Sequence, residues 1–164
     1  MSQTSYSNKF TAALAGQLAF CSPGQVEVID TKVLTADMLA GRFCCKDTTT
    51  DKAKAVATSA NVTADGYGFI IRRMAREPAG VDGTTSADYK SGQDVPVLRA
   101  GRIWVECESA ATFGGSVFVR FAAGTGTKIG AVYNAADTAT CVAAPGWTFG
   151  SELAAAGLVL VEKF

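Results

Sequence analysis

The chain contains no histidine. That removes the side chain most used for proton transfer near neutral pH and the commonest metal ligand. Charge is also scarce: charged residues make up 18% of the chain, and 15 Lys+Arg against 15 Asp+Glu leave no net charge. A protein that neutralises a phosphate backbone needs excess positive charge, and this one has none. The five cysteines, Cys21, Cys44, Cys45, Cys107 and Cys141, are odd in number and include no C-x-x-C pair, which argues against both a complete disulfide framework and a zinc knuckle. No apolar run reaches the roughly 20 residues needed to cross a bilayer as a helix. Phe10 to Phe20, ahead of Cys21, faintly resembles an export signal. Gly16 and Gln17 break it, however, and Phe20 stands where a small residue belongs.

What is present is small and β-forming. Hydrophobic residues reach 48%, many of them alanine, and there are 17 glycines in 164 residues. A chain of this length makes one domain, with or without an arm. We divide it into an N-terminal arm, residues 1–24, and a β-rich domain, residues 25–164. Alternation predicts strands at Gln25–Ile29, Arg42–Cys45, Tyr67–Arg73, Val95–Arg99, Arg102–Glu108, Ser116–Phe121, Thr127–Tyr133 and Leu158–Lys163. Ala100-Gly101 reads as the tight turn of a hairpin. Ile103, Val105 and Cys107 share one face of their strand, and Arg102, Trp104 and Glu106 the other. A brief helical turn is expected between Thr35 and Gly41, and a short helix at Glu152–Ala156 capped by Ser151. Short strands separated by glycine-rich turns indicate an all-β fold: a β-sandwich, jelly roll or partly open barrel with at most one or two short helices. The stretch from Glu77 to Ser91 reads as a loop.

Chemistry-bearing motifs are few. Gly124-Thr125-Gly126-Thr127-Lys128-Ile129-Gly130 has the wrong spacing for a phosphate loop and reads as a glycine-rich turn. Glu106 and Glu108 share a strand face, as a carboxylate pair of a glycosidase would, but Arg102 and Trp104 beside them suggest ordinary solvated charge. Cys44 and Cys45 point to opposite faces if Arg42–Cys45 is a strand, and read as small buried hydrophobes. No nucleophile has a histidine to activate it. The chain therefore reads as non-enzymatic, with no catalytic residue, cofactor or metal. Six residues stand out as candidate partner contacts. Phe10, Leu14 and Leu18 recur every four residues, so that a helical turn aligns them. Arg72, Arg73 and Arg76 form a local basic cluster suited to a protein contact.

The order of several segments carries a resemblance. "TADMLAGRF" is followed by "VTADGYGFIIRR", then by "DYKSGQDVPVLRAGRIWVECESAATFGGSVFVRF", "GAVYNAAD" and finally "AAAGLVLVEKF". Together they resemble the phage structural cement, or head decoration, protein family over roughly Val26 to Phe164. The resemblance implies a β-sandwich or jelly-roll-like body that forms a small homo-oligomer, a dimer or trimer, on the exterior of a tailed-phage capsid. The partner implied is the major capsid protein, with neither nucleic acid nor membrane, and the virion is assembled in the bacterial cytoplasm. A phage tail or baseplate β protein, and an exported adhesin or carbohydrate-binding module, share the composition and remain open at this point.

Overall fold

A computed structural model describes residues 13–19, 25–64, 66–72, 89–122, 128–137 and 139–164. It contains nine strands and one short helix: β1 (Val28–Val33), β2 (Phe43–Lys46), β3 (Ala53–Ala55), α1 (Ser59–Thr63), β4 (Gly66–Ile70), β5 (Asp94–Cys107), β6 (Ser116–Arg120), β7 (Val132–Tyr133), β8 (Cys141–Phe149) and β9 (Gly157–Lys163). The all-β expectation holds.

The organising element is β5, which is continuous from Asp94 to Cys107. The expected hairpin at Ala100-Gly101 is therefore replaced by one long strand with a bulge. Val28 pairs with Ala100 and Ile29 with Leu98, so Arg99 is the extra residue on β5. Gly101, at φ 125°, follows directly. Both short segments that look like separate strands are halves of β5, and the small Ala-Gly pair serves a bend instead of a turn. The extra residue also inverts which face is buried. Val95 and Val97 enter one core and Leu98 the other, whereas beyond the bulge the odd-numbered Ile103, Val105 and Cys107 join Leu98.

Two regions grow from the two halves of β5. Its first half lies between β1 and β4, with β2 and β3 beyond β4, giving the order β3-β2-β4-β5-β1. Its second half pairs antiparallel with β9 through the register Gly101↔Lys163 to Cys107↔Gly157. β9 pairs with β8, β8 with β6 and β6 with β7, and β7 returns to β5 through the parallel pair Cys107↔Val132. The circuit closes, so this half is a small barrel with no free edge in its strand order.

Leu14 to Ala19 belongs to this body. Leu18 forms an antiparallel bridge with Ile103. Gly16 N–H donates to Trp104 O at 2.7 Å, Trp104 N–H to Gln17 O at 2.9 Å, and Ala19 N–H to Arg102 O at 3.0 Å. The segment thus lies along β5, end to end with β1, and Leu14 and Leu18 do not share a helical face. A turn at Gly16 (φ 82°) replaces the helix. Gly16 and Gly41 are backed against one another: a Cβ on Gly16 would stand 2.8 Å from Gly41 N, and one on Gly41 2.7 Å from Gly16 N.

The main core joins the two halves. Phe43 and Phe69 meet edge to face at 5.1 Å, and Phe69 meets Trp147 of β8 at 4.8 Å. Such pairs add about 0.5–1.5 kcal/mol each beyond the area they bury. Cys45 enters this core, while Cys44 enters the smaller one on the far face of the sheet with Leu34, Ile70, Tyr89, Val95 and Val97, so the two thiols do point apart. Cys44, Cys45, Cys107 and Cys141 are buried and form no disulfide among the described residues. Burial, with Cys45 alongside, pushes the Cys44 thiol up to about 12, so it is an inert hydrophobe.

Several local readings are corrected. Thr35 to Gly41 is not helical, because Met38 bridges Tyr89 in extended form. Glu152 to Ala156 is not helical either: Leu153 bridges Ala111, which fixes an extended backbone. The helix is α1 instead, where the Thr58 side chain caps Asn61 N–H and Val62 is buried. β1 begins at Val28, not Gln25, and β7 keeps only Val132 and Tyr133 of the expected Thr127–Tyr133. β8, nine residues interrupted by Pro145 and Gly146, was hidden because Pro-Gly reads as a turn.

Candidate functional site

Two polar assemblies emerge from this frame. The first lies where the barrel meets the sheet. Glu106, on the outward face of β5, and Glu108, just past its end, are not merely solvated. Glu106 accepts from Arg42 Nη2, and Glu108 from Arg120 Nε at 2.6 Å. Both arginines are buried, with side chains 5% and 8% exposed. Arg120 also donates to Thr140 Oγ1 at 2.7 Å and lies over the Tyr133 ring. Lys128 completes the set, its backbone N–H on Glu108 Oε1 at 2.9 Å and its Nζ 3.2 Å from Glu106. Burial pulls the Arg42 guanidinium below its usual value, opposed by Glu106 and Glu108. Arg42 Nη1 has no hydrogen-bond partner among the described residues. Every carboxylate here faces a fixed cation, so the pair is a fastener between β2, β5 and β6 and lacks the free acid and base of a glycosidase.

The second assembly is a cleft of about 530 Å³ on the outer sheet, lined by Asp30, Lys32, Lys46, Thr48, Asp51, Ala64, Gly66, Tyr67 and Arg99. Tyr67 Oη donates to Asp30 Oδ2. Lys32 and Lys46 each stand 2.8 Å from Asp51, the only non-glycine residue with positive φ (54°) among the described residues. The two ammonium groups hold the Asp51 carboxyl down at about 2. Hydrogen bonding from Tyr67 comes first among the causes that hold Asp30 below the usual carboxylate value. Arg99, the bulge residue, lies over the Tyr67 ring at 4.9 Å, with Lys32 also near that ring at 5.3 Å.

The six candidate contacts do not converge. Leu14 is 54% exposed, while Leu18 packs against the main core. Arg72 holds the arm: its Nε donates to Ala15 O and its backbone N–H to Gly16 O. Phe10, Arg73 and Arg76 lie outside the described residues. The cleft residues escaped sequence reading because they come from β1, β2, β4 and the β5 bulge, and only strand register brings them together. Arg42 and Arg120 did leave a signal, each a lone arginine inside an apolar strand run.

The described residues thus make an all-β module built of packed strands, ion-paired fasteners and surface, with no group of three metal-ligating side chains among them. This is the class of structural and binding modules. The chain belongs to the phage structural cement protein family (E217 gp24/Pam3 gp6), whose model matches residues 2–163. Membership makes it a structural protein that binds and stabilises a phage capsid. A chain from "The capsid of Myoviridae Phage XM1" is similar at TM-score 0.68 and 19% identity over 96% of both chains, a likeness of fold. The head fiber gp8.5 N base of bacteriophage phi29 matches at TM-score 0.46 and 14% identity, over 85% of this chain and 95% of that one. No curated protein sequence matches the chain.

Proposed function

We propose that this protein is a non-enzymatic decoration protein on the exterior of a tailed-phage capsid, bound to the major capsid protein as a homo-dimer or homo-trimer and assembled in the bacterial cytoplasm. The observation that carries the reading is the family match across residues 2–163. The physics is compatible with it. A rigid β module bridging neighbouring capsomers adds contacts at each joint, and many copies sum by multivalency. A charge-balanced chain without histidine suits a task of shape and surface. Neither nucleic acid nor membrane is a partner in this reading. Leu14 and the basic stretch that begins at Arg72 stay candidate contacts, with Leu14 the exposed one.

The test is to add purified protein to heads of its phage that lack it. Co-sedimentation at a fixed ratio to the major capsid protein, together with a higher temperature of DNA release, is the expected result. Binding to tails, or to neither heads nor tails, overturns the reading.

A further inference from the structure

The closed half of the molecule has no free strand edge, but the open half does. Among the described residues no strand pairs with the outer edge of β1. The direction of its backbone groups follows from Pro96. Ile71 N–H donates to Pro96 O, so Pro96 turns its carbonyl toward β4, away from β1. Thr31, opposite Pro96, is therefore in a non-hydrogen-bonded pair and turns its own N–H and C=O outward. By alternation Ile29 and Val33 do the same. Only the Asp30 side chain, at 2.9 Å, covers the Thr31 N–H. β1 has neither a proline nor an extra residue of its own to blunt this edge; Asp30 and Lys32 put charge on it, and Val28 and Ile29 are 41% and 46% exposed.

The same strand forms one wall of the charged cleft. Val28, Asp30 and Lys32 alternate on the face that carries Tyr67. The cleft holds three cations, Lys32, Lys46 and Arg99, against two carboxylates, Asp30 and Asp51. Asp51 is spent on both lysines, and Asp30 accepts from Tyr67 and lies 4.0 Å from Lys32. Arg99 forms no ion pair among the described residues. Its guanidinium is held over the Tyr67 ring beside the free edge, near enough to Asp30 to help lower that carboxyl, yet its fork of donors makes no hydrogen bond to a carboxylate among the described residues.

We propose that β1 is a docking edge for an extended acidic segment of the capsid protein. The segment pairs with β1 by strand addition and places a carboxylate on Arg99 in the Tyr67 cleft. The proposal rests on the capsid reading above. Main-chain hydrogen bonds supply affinity in this mode, and side chains alternating into a pocket supply specificity. The charge pair chiefly sets the association rate and its salt dependence.

The experiment uses heads lacking the protein and three full-length variants. Thr31→Pro deletes one outward N–H and leaves the β1–β5 ladder intact. Arg99→Glu reverses the unpaired charge. Phe113→Ser, at an exposed position before β6, is the comparison. Wild-type failure to bind heads overturns the capsid reading itself. If wild type binds, the expected result is a loss of about tenfold or more in affinity for Thr31→Pro and for Arg99→Glu. The salt dependence should be weakened only in Arg99→Glu, with Phe113→Ser unchanged and the circular dichroism of all three matching wild type. Unchanged head binding by Thr31→Pro and Arg99→Glu overturns the proposal. So does Thr31→Pro dissociating a wild-type oligomer in sedimentation, since the edge then belongs to a second copy. If Thr31→Pro misfolds, Arg99→Glu and Arg99→Gln decide alone.

Discussion

The two halves of this molecule solve the problem of strand edges in opposite ways. In the barrel half, β5, β9, β8, β6 and β7 close a circuit, and their inward residues Ile103, Val105, Val117, Val119, Val159 and Val161 are completely buried. In the sheet half, β1 and β3 end the strand order and the surface carries ion pairs, a cleft and exposed aliphatic side chains. Closure turns strand edges of that half onto one another, whereas the open sheet leaves an edge to offer. In the proposed reading, stiffness falls to the closed half and contact to the open one.

The harshest way to break this comparison is at the seam that both halves share. A Cβ on Gly68 would lie 1.9 Å from the Leu98 carbonyl oxygen, a backbone atom that cannot step aside. Gly68→Ala is expected to part β4 from β5 and prevent folding, seen as loss of the cooperative thermal transition. Ile103→Ala, inside the barrel, is expected to cost about 2–5 kcal/mol in chemical denaturation. Ile29→Ala, on the open edge, is expected to stay within about 0.5 kcal/mol. Equal costs would mean that the halves do not differ in packing as described.

Smaller effects sharpen the picture. Glu106→Ala leaves the buried Arg42 without its carboxylate and is expected to destabilise by about 1–3 kcal/mol, with the loss retained in high salt because Arg42 is shielded from solvent. The smallest effect is at Asp51. Its carboxyl falls from the ordinary 3.8 to about 2 in the folded chain. A depressed folded value gives stability that is present above pH 3.8 and is lost as pH falls through 2. Asp51→Asn is therefore expected to flatten the acid limb of the thermal midpoint between those two values, lowering the midpoint slightly near neutrality and meeting the wild type below pH 2.

By itself the sequence determined the class of the fold and much of its interior. Alternation at Ile103, Val105 and Cys107, and at Val117 and Val119, placed them on buried faces, because a pleated strand with one face in a core must alternate. The adjacent Cys44 and Cys45 were assigned opposite faces for the same reason. The lack of histidine and the balanced charge turned the reading away from catalysis and nucleic acid, and the order of the segments carried the family. Tertiary structure decided the rest. Ala100-Gly101 suits a hairpin turn and a bulge equally well, and only pairing with β1 on one side and β9 on the other makes it a bend in β5. Phe10, Leu14 and Leu18 have helical spacing, yet the backbone donors and acceptors of Trp104 and Arg102 hold residues 16–19 in a turn and a single bridge to β5. Local periodicity is overridden there because an unpaired β edge offers hydrogen bonds that an isolated helical turn cannot match. The same holds for Arg99 over Tyr67 and for Glu106 beside Arg42: each pair joins residues that register alone makes neighbours, and register is a property of the folded sheet.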